Sequence, residues 1–382
     1  MGNIITYVEE YGGKTFEEVP FQETDSLIFC ELSYLNFSGS SFVRRDFSRT
    51  IRDWYASEYR DDIADGLFSP EKDQKLLALL AASKRFGSVR GGFFTASTNT
   101  NTQEQFAAIT FRIDDHHSYI AFRGTDNSLV GWKEDLNLAF LDELPSQISA
   151  KNYTELVMNE LSDTFYLGGH SKGGNLAVYA AMHVPDYIQD GIVTIFNHDG
   201  PGFLPQVYTS HEFLTIRKRI RKTVPQSAFV GLILEQHSDY TVVKSDAFSV
   251  LQHDPYSWVI ENGAFVKIAS INTISRYTNQ ALSHWIYSLD PETRHQFVDT
   301  LYDLLGGNGM GRMDALTEVP SQTILRMIRK LMLLPSDDRK LVLDTIRALV
   351  SAAFGEMRQF FSDRQMQLWA MLNTLADRLP LR

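Results

Sequence analysis

The stretch Tyr166-Leu167-Gly168-Gly169-His170-Ser171-Lys172-Gly173-Gly174-Asn175 contains the spacing Gly-x-Ser-x-Gly. That spacing suits a serine held on a strained turn between a strand and a helix, where its neighbours must be small for the two elements to approach closely. The motif alone is short enough to arise by chance. Its context decides the reading. Phe165-Tyr166-Leu167 is an apolar run of buried-strand type, and Asn175 to Met182 has helix composition and ends before Pro185. Strand, serine turn and helix therefore follow in the order a nucleophile elbow requires.

Outward from the elbow, strands and helices alternate. Gln105–Ile113 and Tyr119–Phe122 are β-rich and flank the polar loop Asp114-Asp115-His116-His117-Ser118, which predicts a hairpin. After the elbow helix, Gly191–Phe196 reads as a buried strand ending in Asn197-His198-Asp199-Gly200-Pro201-Gly202, a helix is expected through Ile220, and Tyr240–Ser245 is the last strand. This alternation implies an α/β fold with a mostly parallel sheet covered on both faces. Residues 1–104 read as mostly helical, with the strongest helix over Asp73–Ser83 and with Ser97–Thr102 as a polar turn. From 266 to 382 the pattern becomes α-helical. Asp290-Pro291 and Ser336-Asp337 are helix starts, and apolar residues recur at helical spacing from Ile324 to Met332. This region is expected to cap the sheet, form a lid or supply a homodimer contact.

The chain has 382 residues, 43% of them hydrophobic and 22% charged, which is ordinary globular composition. A formal charge of −11 argues against nucleic acid as a partner. The basic run Arg217–Lys222 reads as the solvated face and end of a helix. A single cysteine, Cys30, excludes an intrachain disulfide and fits a reducing compartment. No apolar run is long enough to span a bilayer, and the N-terminus lacks the pattern of a secretory signal, so a cytoplasmic protein is expected. His116 and His117 lack further ligands at suitable spacing, so no metal site is expected there.

A serine hydroxyl needs a base in reach and a third group to orient that base. His183 lies at the far end of the elbow helix and His211 within a helical stretch; His284 and His295 fall in the helical region. His253, in the loop after the last strand, is the preferred base, with His237 in reserve. Asp199, at the end of the strand after the elbow, is the preferred acid. Asp239 is the main alternative and Asp254 a further one. Oxyanion donors are expected from the backbone N–H of Lys172, whose side chain is not required, and from Thr125 at the end of Ala121-Phe122-Arg123-Gly124-Thr125. Acyl transfer from such a set needs no cofactor.

Phe122-Arg123-Gly124-Thr125 followed by Trp132, and the elbow Gly169-His170-Ser171-Lys172-Gly173-Gly174, resemble the class 3 (fungal-type) lipases. More closely, the chain resembles the Mbeg1-like family of bacterial proteins within the same α/β-hydrolase group. The matching pieces include Ser83–Phe86, Gln105–Phe111, Gly131–Asp135, the elbow, Asp199–Gly202 and Gln252–Trp258. The resemblance implies an α/β-hydrolase domain over 1–265, Ser171 as nucleophile, His253 as base, and Thr125 with Lys172 as oxyanion hole. The acid is where the patterns part. Class 3 lipases carry it after the strand after next, where this chain reads Pro225-Gln226-Ser227-Ala228 without a carboxylate. The expected activity is hydrolysis of a small-molecule or lipid ester or a thioester; the alternative is a non-catalytic α/β-hydrolase scaffold that binds a lipid or protein.

Overall fold

A computed structural model describes residues 2–37, 45–63, 69–102, 104–125, 134, 143–228, 230–235, 239–273 and 275–276. Its centre is an eight-stranded sheet in which every strand neighbours the one before it in sequence. The strands are β1 (Arg49–Thr50), β2 (Arg90–Asn99), β3 (Glu104–Arg112), β4 (His117–Phe122), β5 (Thr164–His170), β6 (Ile192–His198), β7 (Ile220–Pro225) and β8 (Tyr240–Val243). From β4 to β8 all pairings are parallel, whereas β1 to β4 pair antiparallel.

The sequence of each inner strand explains its place. Along β4, Tyr119 and Ala121 join one core and Ile120 and Phe122 the other, because successive side chains point to opposite faces. Both faces are covered, so apolar residues are needed at every position. Helices Ile4–Tyr11, Glu23–Leu32 and Pro70–Ala82 contribute Tyr7, Phe29 and Leu77 to the first core. Helices Pro145–Glu160 and Lys172–His183 contribute Val157 and Leu176 to the second. Each such aliphatic or aromatic side chain contributes about 1.5–3 kcal/mol by leaving water. Pro70 and Pro145 stand in the first turns of their helices, where a missing N–H costs nothing.

The first hundred residues are less helical than expected. Of the polar turn expected over Ser97–Thr102, residues 100–102 form the turn, while Ser97 to Asn99 belong to strand β2, which pairs with β3 residue for residue from Thr95 to Asn99. Its outer half is exposed, so its polar side chains reflect solvent on a strand rather than a turn. The helix expected through Ile220 ends at Ile216; Arg217–Arg219 form a single 3-10 turn and β7 begins at Ile220. The basic run is therefore not one helix face. Lys222 is buried in β7 and pairs with Glu235.

An ion pair of zero side-chain exposure, Arg85 with Asp25, ties the N-terminal helices to the domain. The Tyr7 hydroxyl donates to Asp25 at 2.9 Å and Arg85 Nη1 donates to the Val19 carbonyl at 2.8 Å. Among the described residues no helix is long and apolar enough to cross a membrane. The helix starts at Asp290 and Ser336, the apolar repeat from Ile324, and His237, His284 and His295 lie outside the described residues.

Candidate active site

Ser171 sits between β5 and helix Lys172–His183 with φ 57° and ψ −133°. An L-residue holds that left-handed conformation only where the surroundings enforce it. Here they do. Its N–H donates to the His198 carbonyl at 2.9 Å and its carbonyl accepts from the Gly174 N–H at 2.9 Å. A Cβ on Gly169 would lie 2.3 Å from the Gly173 carbonyl oxygen, and one on Gly173 would lie 2.0 Å from that of Phe122. The glycines of the motif are thus required by the approach of strand and helix.

Thr125, Ser171, Asp199 and His253 all follow the carboxyl ends of parallel strands, namely β4, β5, β6 and β8. Such an edge is where functional side chains of open α/β sheets gather. Ser171, His253 and Thr125 line one cavity of about 310 Å³. The segment before Thr125 passes close to the serine: a Cβ on Gly124 would lie 3.1 Å from Ser171 Cβ. Behind the cavity, His253 Nδ1 donates to Asp199 Oδ2 at 2.6 Å. Asp199 is buried while the His253 side chain remains 28% exposed, so the pair has a dry end and an open end. Asp199 Oδ1 accepts from the Gly231 N–H at 3.2 Å. Burial pushes the Asp199 carboxyl up, and the hydrogen bond and charge of His253 pull it back.

The loop that carries His253 is pinned from three directions. The Gln252 side chain accepts from the Ser227 N–H at 2.7 Å, the Gln252 carbonyl accepts from the Trp258 indole at 2.8 Å, and the His253 carbonyl accepts from His170 Nε2 at 2.9 Å. His170 Nδ1 in turn accepts from the Tyr34 hydroxyl at 3.2 Å. Burial, with His253 and His198 nearby, holds His170 well below the usual histidine range, so it is neutral with its proton on Nε2. Nothing in the sequence beyond its place in the motif pointed to His170 as the anchor of the His253 loop.

The other sequence-named groups stand elsewhere. Asp239 forms an exposed ion pair with Arg217, with Arg217 Nε donating at 3.0 Å. Asp254 pairs with Lys72 at 2.9 Å on the cavity rim. His183 closes the elbow helix, His211 opens the helix His211–Ile216, and His117 pairs with Asp114 in the hairpin. Among the described residues no three His, Cys, Asp or Glu side chains could hold a metal ion. Trp132 lies outside the described residues.

Two features went unread in the sequence. The Lys172 side chain is buried, and its Nζ donates to Glu134 Oε2 at 2.8 Å, to the Gln105 carbonyl at 2.7 Å and to Gln105 Oε1 at 2.8 Å. Glu31 and Asp73 from the N-terminal helices, and Tyr34 from the turn after helix Glu23–Leu32, line the same cavity as Ser171. A glutamate inside Phe29-Cys30-Glu31-Leu32 was the available signal for the latter.

An α/β sheet with a strained serine turn at its carboxyl edge places the chain among the α/β-hydrolase-type proteins. The Mbeg1-like family profile matches residues 80–303, more than half of the chain, and the chain belongs to that family. Comparison with curated proteins finds no match. Among solved structures the chain is similar to one titled "Crystal structure of M37 lipase", at 13% identity and a TM-score of 0.36, over 70% of this chain and 80% of that one.

Proposed function

We propose that the chain is a serine hydrolase of esterase or lipase type that cleaves an ester or thioester through an acyl-enzyme. The observation that carries this reading is the 2.6 Å hydrogen bond from His253 Nδ1 to buried Asp199, with His253 and Ser171 lining one cavity. With Nδ1 donating, Nε2 is left to accept a proton. Ser171 Oγ attacks the carbonyl carbon, its proton passes to His253 Nε2, and the carbonyl oxygen becomes an oxyanion held by the Lys172 N–H and Thr125. Collapse expels the alcohol or thiol, which takes the proton from His253. Water then gives a proton to His253 and attacks the acyl carbon; collapse breaks the bond to Ser171 Oγ, which takes that proton back from His253 as the acid leaves. Asp199 holds the tautomer and stabilises the imidazolium. The reaction requires no cofactor.

On this reading the chain acts in the cytoplasm, consistent with its single buried thiol, and the helical region read over 266–382 serves as a cap, lid or dimer surface. The test is hydrolysis of p-nitrophenyl and CoA esters of graded chain length by wild type, Asp199→Asn and Asp239→Asn. Loss of Asp199 is expected to lower kcat by about 10⁴-fold, with Asp239→Asn near wild type. A larger loss in Asp239→Asn would overturn the choice of acid.

A further inference from the structure

The cavity that holds Ser171 and His253 is also lined by three carboxyl side chains with no part in the proposed reaction: Asp254, paired with Lys72 on the rim, and Glu31 and Asp73. Glu31, at the end of helix Glu23–Leu32, is 8% exposed, and its Oε1 is buried without a hydrogen-bond partner among the described residues. Asp73, in the first turn of helix Pro70–Ala82, is 7% exposed and accepts from the Tyr256 hydroxyl at 2.6 Å. Neither carboxyl forms an ion pair among the described residues. Lys72 Nζ pairs with Asp254 at 2.9 Å on the rim and lies 5.0 Å from the Tyr256 ring centroid, so its charge offsets part of the field of the acids. The walls beside them are the tyrosines Tyr34 and Tyr256.

A buried carboxyl with an idle oxygen is costly unless something else fills its place. A proton does so in part. Burial raises Glu31 well above the usual carboxylate range and Asp73 to about 6, and each of the two acids is raised further by a neighbouring acid. A cationic group entering the cavity would take over from that proton, with carboxyl oxygens as acceptors. An anionic acyl or leaving group would meet the opposite field.

We infer that the cavity beside Ser171 binds the ammonium group of an amine-bearing ester, with Glu31 and Asp73 as its acceptors. That the ligand is an ester rests on the hydrolase reading; that it carries a primary ammonium rests on the two carboxyls. The inference separates the substrate from anionic thioesters such as acyl-CoA and from plain fatty esters.

The test uses full-length Ser171→Ala, which cannot form the acyl-enzyme. Calorimetric titration compares the methyl ester of ε-aminocaproic acid with methyl heptanoate, its neutral isostere, and with the monomethyl ester of adipic acid, which carries the opposite charge. The amine-bearing ester is expected to bind about tenfold more tightly than either or better. Glu31→Gln or Asp73→Asn in the same background should shrink that ratio about fivefold or more. Equal binding of the three esters, or preference for the anion, overturns the inference even where wild type hydrolyses them all. A preference for the amine with no Ser171-dependent turnover in wild type keeps the ammonium site and sinks the hydrolase reading. Because the ratio is first read without touching either carboxyl, a variant that misfolds does not rescue the inference.

Discussion

The buried acid that holds Lys172, the residue after Ser171, and the buried acids that line the Ser171 cavity are treated in opposite ways. Glu134 is fully occupied: it takes the Lys172 ammonium at 2.8 Å, the Gln105 N–H at 3.1 Å and the Ser146 N–H at 3.1 Å. Glu31 and Asp73 line the cavity with no ion pair among the described residues; Glu31 Oε1 has no hydrogen-bond partner there, while Asp73 accepts from the Tyr256 hydroxyl. The first set is what a rigid support under the elbow requires, since a buried charge is tolerable when paired and hydrogen-bonded. The second set is what a stability optimum would avoid. Groups left under-satisfied in a cavity are kept for a ligand more readily than for the fold.

The paired acid is the more sensitive to substitution. Lys172→Met leaves the Glu134 carboxylate buried with only two N–H donors, and is expected to destabilise the protein by about 3–5 kcal/mol in chemical denaturation. Adding Glu134→Leu should recover part of that loss, because both charges are then gone. No recovery would mean that packing around the Lys172 stem, rather than charge, is what the pair supplies.

On the cavity side the sign reverses. The folded protein holds the Asp73 proton up to about pH 6, whereas an unfolded aspartate releases it near 3.8. Asp73 therefore costs stability progressively as the pH rises through that window. Asp73→Asn keeps an oxygen for the Tyr256 hydroxyl. It should be neutral below the window and stabilising by up to about 3 kcal/mol above it. Urea midpoints measured at both ends check this, and equal effects at the two ends would contradict it.

The smallest effect is expected at the exposed pair of Arg217 with Asp239, whose side chains are 41% and 65% open. Arg217→Ala should cost less than about 1 kcal/mol, read from the same midpoints. A larger cost would show that exposure does not divide the weak pairs from the strong ones here.

The sequence made one half of this molecule far more legible than the other. From β4 onward, apolar strands alternate with helices, and glycines and prolines mark the turns, so the order of strand, elbow and helix could be read residue by residue. The inner position of Asp199 followed from its place after β6. The antiparallel side was harder, because the outer half of β2 is solvent-exposed and its Ser, Thr and Asn side chains look like loop. Chemistry supplied by distant helices was harder still. Glu31 and Asp73 reach the cavity only through packing of the N-terminal helices, and no local pattern encodes that approach. The Lys172 side chain gives no local signal, since its partners Glu134 and Gln105 lie 38 and 67 residues away.

Ser171 is the proposed nucleophile, and covalent labelling tests that role directly. Intact protein is expected to take up one fluorophosphonate group, with the adduct on Ser171 and no uptake by Ser171→Ala. Intact protein that stays unlabelled, or labelling that survives Ser171→Ala, would contradict the account.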